Sequence, residues 1–302
     1  MKKQELKGSL ALLLCAAIWG STFVAQSVGM DSVGPFTFQA VRTLVGALVL
    51  LPVVWVCDRF DGGAKKERSR TPEGRKKLLI AGLICGTVMC IASAFQQYAL
   101  LFAEPGKAGF LTALYILIVP ILGLFLKKRP PLRLWGCVVL ALLGLYLLCM
   151  KGSFAFSKGD VLLLISAFWY SVHIWSVELL AHDLDGVRLS CVQFFVCGVL
   201  SSVLMFTMET PKVGNICAAW LPILYAGILS CGVAYTLQII GQQKTRPAVA
   251  SLLMSFESVF AVLAGMVVLH QIPTVREAVG CLLMFAAIVI CQLPQRVKNT
   301  VK

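Results

Sequence analysis

The sequence contains few charged residues and very little histidine. Only 14% of its 302 residues are Asp, Glu, Lys or Arg, whereas soluble domains carry about 25%. Its three histidines (His173, His182 and His270) are far apart, which argues against paired His/Asp or Ser/His catalysis. No Walker A motif occurs, so the chain by itself is not an ATP-driven pump. The twelve cysteines show no CxxC or Cys/His metal spacing, and we therefore expect no metal, no cofactor and no required disulfide.

Hydrophobic residues, by contrast, make up 59% of the chain, and the mean hydropathy is +0.86. They cluster in apolar runs that are long enough to cross about 30 Å of hydrocarbon as helices. The connections between the runs are short and leave no room for a soluble catalytic domain. We therefore predict an all-α membrane protein with ten transmembrane helices, at residues 8–27, 35–57, 78–98, 108–126, 134–150, 160–180, 186–208, 218–240, 249–269 and 276–293.

Basic residues are distributed unevenly among the gaps between these runs. The net charge of +13 could suggest a nucleic-acid partner, but the basic residues are not gathered on one polar domain. If the N-terminus lies in the cytoplasm, 21 of the 27 Lys and Arg residues fall on the inner side, five on the outer side, and Arg42 within a span. Since Lys and Arg favour the cytoplasmic side, both termini are predicted to be cytoplasmic, and no nucleic acid is expected.

The chain also contains an internal repeat. Residues 17–21 match residues 167–171 at an offset of 150, and residues 108–123 can be aligned with 250–265 at an offset of 142. We predict one five-helix repeat at 8–150 and a second at 160–293, joined by an external connector at 151–159. Because five is odd, the second copy enters the membrane from the opposite side. Such inverted repeats are typical of transporters, whose binding site lies near the midplane between the halves.

Several short motifs occur in a specific order and at corresponding places in the two halves. They are Trp19-Gly20-Ser21, Pro35, Arg42, Leu-Tyr-Ile-Leu-Ile-Val-Pro at 114–120, Ala234-Tyr235, and Phe256-Glu257-Ser258-Val259-Phe260. Together they resemble the EamA family of the drug/metabolite transporter superfamily over nearly the whole chain. The resemblance implies a ten-helix bundle, not an enzyme, that moves small metabolites, often outward, across the bacterial inner membrane.

Two charged residues lie inside predicted spans, where a charge costs at least about 2.5 kcal/mol. Glu257 is eight residues into 249–269 and either faces a cavity, where it binds a cationic substrate or exchanges a proton, or ties helices together as a hydrogen-bonded carboxyl. Arg42 is seven residues into 35–57. It binds a carboxylate or phosphate, pairs with Glu257, or extends to the outer interface. Pro120 predicts a kink in 108–126 without a counterpart in 249–269.

Aromatic and polar residues at helical spacing suggest further walls of a cavity. Trp19, Phe23 and Gln26 share one face of the first helix, and Trp169, His173 and Ser176 repeat that spacing at an offset of 150. Ordinary helix packing is the alternative for both faces. Tyr115 aligns with Glu257 at an offset of 142. The predicted substrate-binding residues are Trp19, Phe23, Gln26, Arg42, Tyr115, Trp169, His173, Tyr235 and Glu257, with Glu257 also the coupling residue.

The leading hypothesis is a secondary transporter, an exporter of small metabolites such as amino acids or related amphipathic compounds, working by alternating access. The alternatives are an intramembrane enzyme that acts on lipid and a non-transporting membrane sensor. The expected partners are a small-molecule substrate and the lipid bilayer, and proton coupling and a homodimer are both left open.

Overall fold

The chain is helical throughout the part that the structure describes. In the computed structural model this part comprises residues 3–60, 67, 69–103, 105–150, 157–269 and 273–293, and it contains no strand. Nine helical stretches within it are long and apolar enough to cross a membrane. The first helix has 28 residues and extends for about 42 Å at about 1.5 Å per residue. The protein is a multi-pass helical membrane protein, while the count of ten spans and the cytoplasmic termini stay predictions.

Fifteen helical segments follow one another along the described chain, and short turns join many of them. Their bounds are α1 Lys3–Met30, α2 Pro35–Phe60, α3 Pro72–Ala99, α4 Pro105–Ala113, α5 Tyr115–Phe125, α6 Leu132–Cys149, α7 Lys158–Leu180, α8 Gly186–Met208, α9 Val213–Ala218, α10 Trp220–Tyr225, α11 Ala226–Ala234, α12 Tyr235–Gln242, α13 Pro247–Met254, α14 Glu257–Leu269 and α15 Val275–Gln292.

Helices α2 and α8 form the most extensive contact between helices, and they are fastened together at both ends. Glu209, which follows α8, accepts hydrogen bonds from the backbone N–H groups of Phe36 (2.9 Å) and Thr37 (2.8 Å) at the start of α2. These N–H groups have no acceptor within the helix itself. At the other end, the Arg188 guanidinium donates to both carboxylate oxygens of Asp58, at 2.8 and 2.7 Å. The two helices therefore form a fixed scaffold.

Helices α6 and α15 approach closely where two glycines face each other. A Cβ atom on Gly144 would lie 2.8 Å from the carbonyl oxygen of Gly280 and 2.7 Å from Cγ of Met284. A Cβ atom on Gly280 would lie 2.7 Å from the carbonyl oxygen of Gly144. Small residues that let two backbones come together are a common device in membrane helix packing. These two glycines therefore set the distance between α6 and α15.

Two of the predicted spans are interrupted at corresponding places. Between α4 and α5, the N–H groups of Leu114 (3.3 Å) and Leu117 (2.9 Å) donate to carbonyls three residues earlier rather than four. Between α13 and α14, Phe256 (3.3 Å) and Val259 (3.0 Å) do the same. The second pair follows the first at an offset of 142, so the two interruptions share one hydrogen-bond pattern. Each is a short turn of 3₁₀ type.

Three of the predicted spans differ locally from a regular α-helix. The runs 108–126 and 249–269 are divided as described, and 218–240 contains a π-helical segment, α11, although each still provides a stretch long enough to cross a membrane. Glu257 is the first residue of α14 rather than an interior one. Pro120 lies inside α5, six residues after the turn at Leu114, where ψ is −9°. The kink expected at Pro120 stays a prediction.

The close contact of α6 with α15 yields a stability prediction with a control on the same helix. We expect Gly144→Ala to lower the thermal unfolding temperature of the detergent-solubilised protein, because the added methyl group meets backbone and Met284. Gly136→Ala meets nothing within 4 Å and should leave stability unchanged or raise it, by up to about 1 kcal/mol from helix propensity. Equal unfolding temperatures for the two variants would contradict the packing described here.

Candidate substrate-binding site

A central cavity lies where the interrupted helices meet α1, α2 and the π-helical segment. Its empty volume, including the part open to solvent, is about 560 Å³. Polar and aromatic side chains dominate its wall, which is formed by Trp19, Gln26, Arg42, Gln96, Thr112, Tyr115, Tyr170, Ile174, Ser230, Tyr235, Gln238, Met254 and Glu257. Irregular backbone at membrane depth is tolerated where it lines a cavity, and the breaks at Leu114 and before Glu257 fulfil that condition.

Glu257 is held at the first turn of α14, directly after the break. Its side chain is only 6% exposed, and the Tyr115 hydroxyl donates to its Oε1 at 3.4 Å. Gly20 of α1 packs against it, since a Cβ atom there would lie 2.5 Å from the Glu257 carbonyl oxygen. Glu257 forms no ion pair in the described part of the chain. The cavity therefore contains a carboxyl group that forms no ion pair with any cation of the described residues.

Arg42 brings the opposite charge to the same cavity from the scaffold helix α2. It is 5% exposed, and its Nε and Nη2 both donate to Oε1 of Gln39, at 2.9 and 2.5 Å. Its guanidinium lies 5.6 Å from the ring centroid of Phe38. Among the described residues it makes no ion pair, with Glu257 or any other carboxylate. A buried guanidinium of this kind is costly unless an anion reaches it.

The aromatic wall supplies apolar surface together with free hydrogen-bonding groups. The rings of Trp19 and Tyr235 lie with their centroids 4.6 Å apart, and the Tyr170 hydroxyl donates to Oε1 of Gln96 at 3.1 Å. Nε1 of Trp19 and Oε1 of Gln238 are buried without a protein partner among the described residues. Such groups are costly to leave unpaired. They are available to a ligand as one donor and one acceptor.

The structure brings together six of the nine residues that the sequence suggested: Trp19, Gln26, Arg42, Tyr115, Tyr235 and Glu257. Gln26 is fixed by Gln97 of α3, whose Nε2 donates to its Oε1 at 2.6 Å. The side chain of Phe23 lies outside the described residues. Trp169 and His173 do not line the cavity. Trp169 packs edge-on against Phe168 with ring centroids 5.9 Å apart, and Nε2 of His173 contacts Oε1 of Gln193 at 3.2 Å.

The face of α7 that lines the cavity carries Tyr170 and Ile174 rather than Trp169 and His173. The sequence alignment used an offset of 150 between the first helix of each half, whereas Tyr170 follows Trp19 at an offset of 151. One residue rotates a side chain by about 100° around a helix, since a turn takes about 3.6 residues. The offset of 150 therefore predicts Trp169, which does not line the cavity, in place of Tyr170, which does.

Further residues line the cavity in addition to the six predicted ones, and some of them correspond to one another in the repeat. At the offset of 142, Gln96 corresponds to Gln238 and Thr112 to Met254, and all four line the cavity, as do Tyr115 and Glu257. Pairs of positions that are 142 residues apart therefore line the cavity from both halves. Ser230 has no such signal, because it reaches the wall through the π-helical segment.

Comparison with known proteins gives matches over nearly the whole chain. The model of the EamA-like transporter family matches residues 6–150 and 157–292. An "Uncharacterized transporter" of Archaeoglobus fulgidus is 30% identical over 292 residues, which cover 96% of this chain and 87% of that protein. "Uncharacterized transporter YoaV" of Bacillus subtilis is 24% identical over 290 residues, which cover 94% of this chain and 96% of that protein. A crystal structure of a 19% identical protein superposes with a TM-score of 0.77, over 94% of this chain and 96% of that one, and it shares the fold.

The environment of Glu257 leads to a prediction about stability. We expect Glu257→Gln to keep or raise the unfolding temperature of the detergent-solubilised protein, because a buried carboxyl without a cation contributes little to stability. Asp160→Asn serves as the control, since Asp160 accepts from Nζ of Lys107 at 2.6 Å and from the backbone N–H of Ser157 at 2.7 Å. That variant should unfold at a lower temperature. A comparable loss of stability in Glu257→Gln would show that the carboxylate is structural.

Proposed function

Because the chain belongs to the EamA-like transporter family, we propose that it is a secondary transporter that exports small metabolites across the bacterial inner membrane. Amino acids and related amphipathic compounds are the proposed substrates. The observation that carries this proposal is the central cavity, in which the buried guanidinium of Arg42 and the buried carboxyl of Glu257 face the same space without forming an ion pair.

The chemistry of the wall supports a substrate with both a charged and an apolar part. Arg42 has a planar set of donors that suits a carboxylate, and Glu257 suits an ammonium group. The rings of Trp19, Tyr170 and Tyr235 offer faces for an apolar side chain or a cation. A zwitterionic compound with a hydrophobic body would satisfy all three kinds of group at once. A purely apolar compound would leave both charges buried and unpaired.

Alternating access between two inverted repeats, at 8–150 and 160–293, is the proposed mechanism. Two observations support it: the family model matches the chain twice, and the interruptions before Tyr115 and Glu257 share one hydrogen-bond pattern. Two bundles of similar structure can exchange inward-open and outward-open arrangements at similar free energy. The central cavity lies at such a junction, since α1 contributes from the first half and α14 from the second.

Proton exchange at Glu257 is the proposed route of energy coupling. A carboxyl group in a water-poor cavity can alternate between a charged form that binds a cation and a neutral form that releases it. The Tyr115 hydroxyl, which contacts Oε1 of Glu257, is placed to bond with either form. No ATP-binding motif is needed for a transporter that works in this way.

Transport by wild-type protein and by a pair of tryptophan variants tests the site. The assay is flux of a mixed metabolite pool from proteoliposomes, read by mass spectrometry. Trp19→Phe removes the free Nε1 donor of the cavity and should reduce flux of the exported compound about 10-fold, as expected for a lost hydrogen bond of about 1.4 kcal/mol. Trp169→Phe, at the related position outside the cavity, should change it less than about 2-fold.

Equal losses for the two tryptophan variants would contradict the assignment of the cavity. Folded wild-type protein that moves no compound of the pool would contradict transport itself, and it would favour a sensor. Size-exclusion profiles and unfolding temperatures establish that each variant is folded.

Proton coupling is tested by imposing a pH gradient across the same vesicles. With acid outside, proton entry should accelerate export by the wild-type protein severalfold. Glu257→Gln cannot ionise, so its residual flux should not respond to the gradient. Glu73→Gln, an exposed residue at the start of α3, should respond like the wild type. A gradient response that persists in Glu257→Gln would assign coupling to another group or to none.

A further inference from the structure

A second system of hollows opens at the end of the molecule where α1 begins and α15 ends, the side predicted to face the cytoplasm. Two adjoining hollows, with empty volumes of about 1320 and 990 Å³ including the part open to solvent, share the lining residues Pro131, Leu134, Glu178, Arg246 and Val249. We call the two together the basic cleft. In the described structure it has no lining residue in common with the central cavity.

Positive charge dominates the wall of the basic cleft. Two of its side chains are acidic, Glu5 and Glu178, and six are basic: Lys127, Lys128, Arg129, Arg133, Lys244 and Arg246. Arg133 is engaged, since its Nη2 donates to the carbonyl oxygens of Cys291 (3.0 Å) and Leu293 (2.7 Å) at the end of α15. The other five basic side chains form no ion pair within the described residues. A concave surface with unpaired cations attracts an anion.

One wall of the cleft presents further groups that suit an oxyanion. Helix α13 begins there at Pro247 and has no side-chain cap, so its positive end is open toward the cleft. Thr245 also lines the cleft, but its hydroxyl is buried against Gly8 of α1. A helix N-terminus next to the Arg246 guanidinium is a favourable environment for a phosphate group.

At the end of α5, which also borders the cleft, the backbone adopts a left-handed conformation. Lys127 has φ of 56°, a left-handed conformation that glycine adopts more easily at a helix end. The next N–H, of Lys128, donates to the carbonyl oxygen of Gly123 at 2.8 Å and closes the end of α5. The three consecutive basic residues that follow α5, Lys127, Lys128 and Arg129, all line the cleft.

The surroundings of the basic residues favour a lipid over a soluble anion. Immediately before them, Leu124, Phe125 and Leu126 are 47%, 80% and 43% exposed, and we call these three residues, which adjoin the charged rim, the apolar strip. Pro120 and the Trp175 ring line the inner part of the same hollow. A soluble phosphate could use only the charged rim, whereas a phospholipid could use both the rim and the strip.

We propose that the basic cleft binds the phosphate headgroup of an anionic phospholipid of the inner leaflet, with an acyl chain along the apolar strip of α5. Basic pockets between transmembrane helices on the cytoplasmic side bind anionic headgroups in this manner. The site joins α5 of the first half to α7 and α13 of the second.

Lipid binding to the full-length protein, purified in neutral detergent and measured by native mass spectrometry, tests the proposal. We expect phosphatidylglycerol to bind at least about 10-fold more tightly than phosphatidylcholine. The variant Lys127→Gln/Lys128→Gln/Arg246→Gln should lose this preference. The control Arg75→Gln/Lys76→Gln/Lys77→Gln removes the same number of charges from exposed positions on the same predicted side and should retain it. Circular dichroism and the unfolding temperature verify that both variants are folded.

Three outcomes would overturn the proposal. If both triple variants lost the preference for phosphatidylglycerol equally, the overall positive charge of this side of the protein, rather than the cleft, would attract the lipid. Competition by inorganic phosphate or glycerol phosphate as effective as that by the lipid would assign the cleft to a soluble anion. Loss of transport in the cleft variant with unchanged lipid preference would make the cleft an entrance for substrate.

Discussion

The chemistry of the central cavity depends on two buried ionisable side chains of opposite sign, Arg42 and Glu257, which line it without forming an ion pair among the described residues. Arg42 is retained on its side because Gln39 accepts two of its hydrogen bonds, and Gln39 is itself fixed by donating to Ser93 of α3 at 2.5 Å. Glu257 is retained on the other side by the break before α14 and by the Tyr115 hydroxyl. Had the two charges formed an ion pair, the cavity would have no unsatisfied charge to offer a ligand.

The helices that carry Arg42 and Glu257 differ in the hydrogen bonds that hold them. Arg42 stands on α2, which is fastened to α8 by Glu209 at one end and by the Asp58–Arg188 pair at the other. Glu257 stands at the start of a half-helix, where the chain has already lost part of its regular hydrogen bonding. Arg42 therefore lies on a helix that is held at both ends, whereas Glu257 lies directly after an interruption of the backbone hydrogen bonding.

Much of the fold could be predicted from the sequence, because only long apolar segments can cross the hydrocarbon core of a membrane. Apolar runs of about 20 residues indicate most of the helices, whereas the orientation that the Lys and Arg residues indicate stays a prediction. Arg42 and Glu257 could also be found, since a charge inside an apolar run is conspicuous. The breaks at Leu114 and Ser255 could not, because nothing in their residues forbids a continuous helix. At the second break Gly20 of α1 packs against the Glu257 carbonyl, a contact between distant parts of the chain that the local sequence does not contain.

The difference between Trp169 and Tyr170 shows where reasoning from an internal repeat reaches its limit. Sequence similarity placed Trp169 opposite Trp19, yet the cavity is lined by Tyr170, because packing of α7 against α3 decides which face turns inward. Ser166 of α7 donates to the Ala92 carbonyl at 2.8 Å, and Tyr170, one turn later, then reaches Gln96 on the same helix. A repeat fixes which helices correspond, whereas the rotation of each helix is fixed by such contacts. Arg42 shows the same difference between the halves. At the offset of 151 it corresponds to Gln193, which contacts His173, and among the described lining residues Arg42 is the one cation.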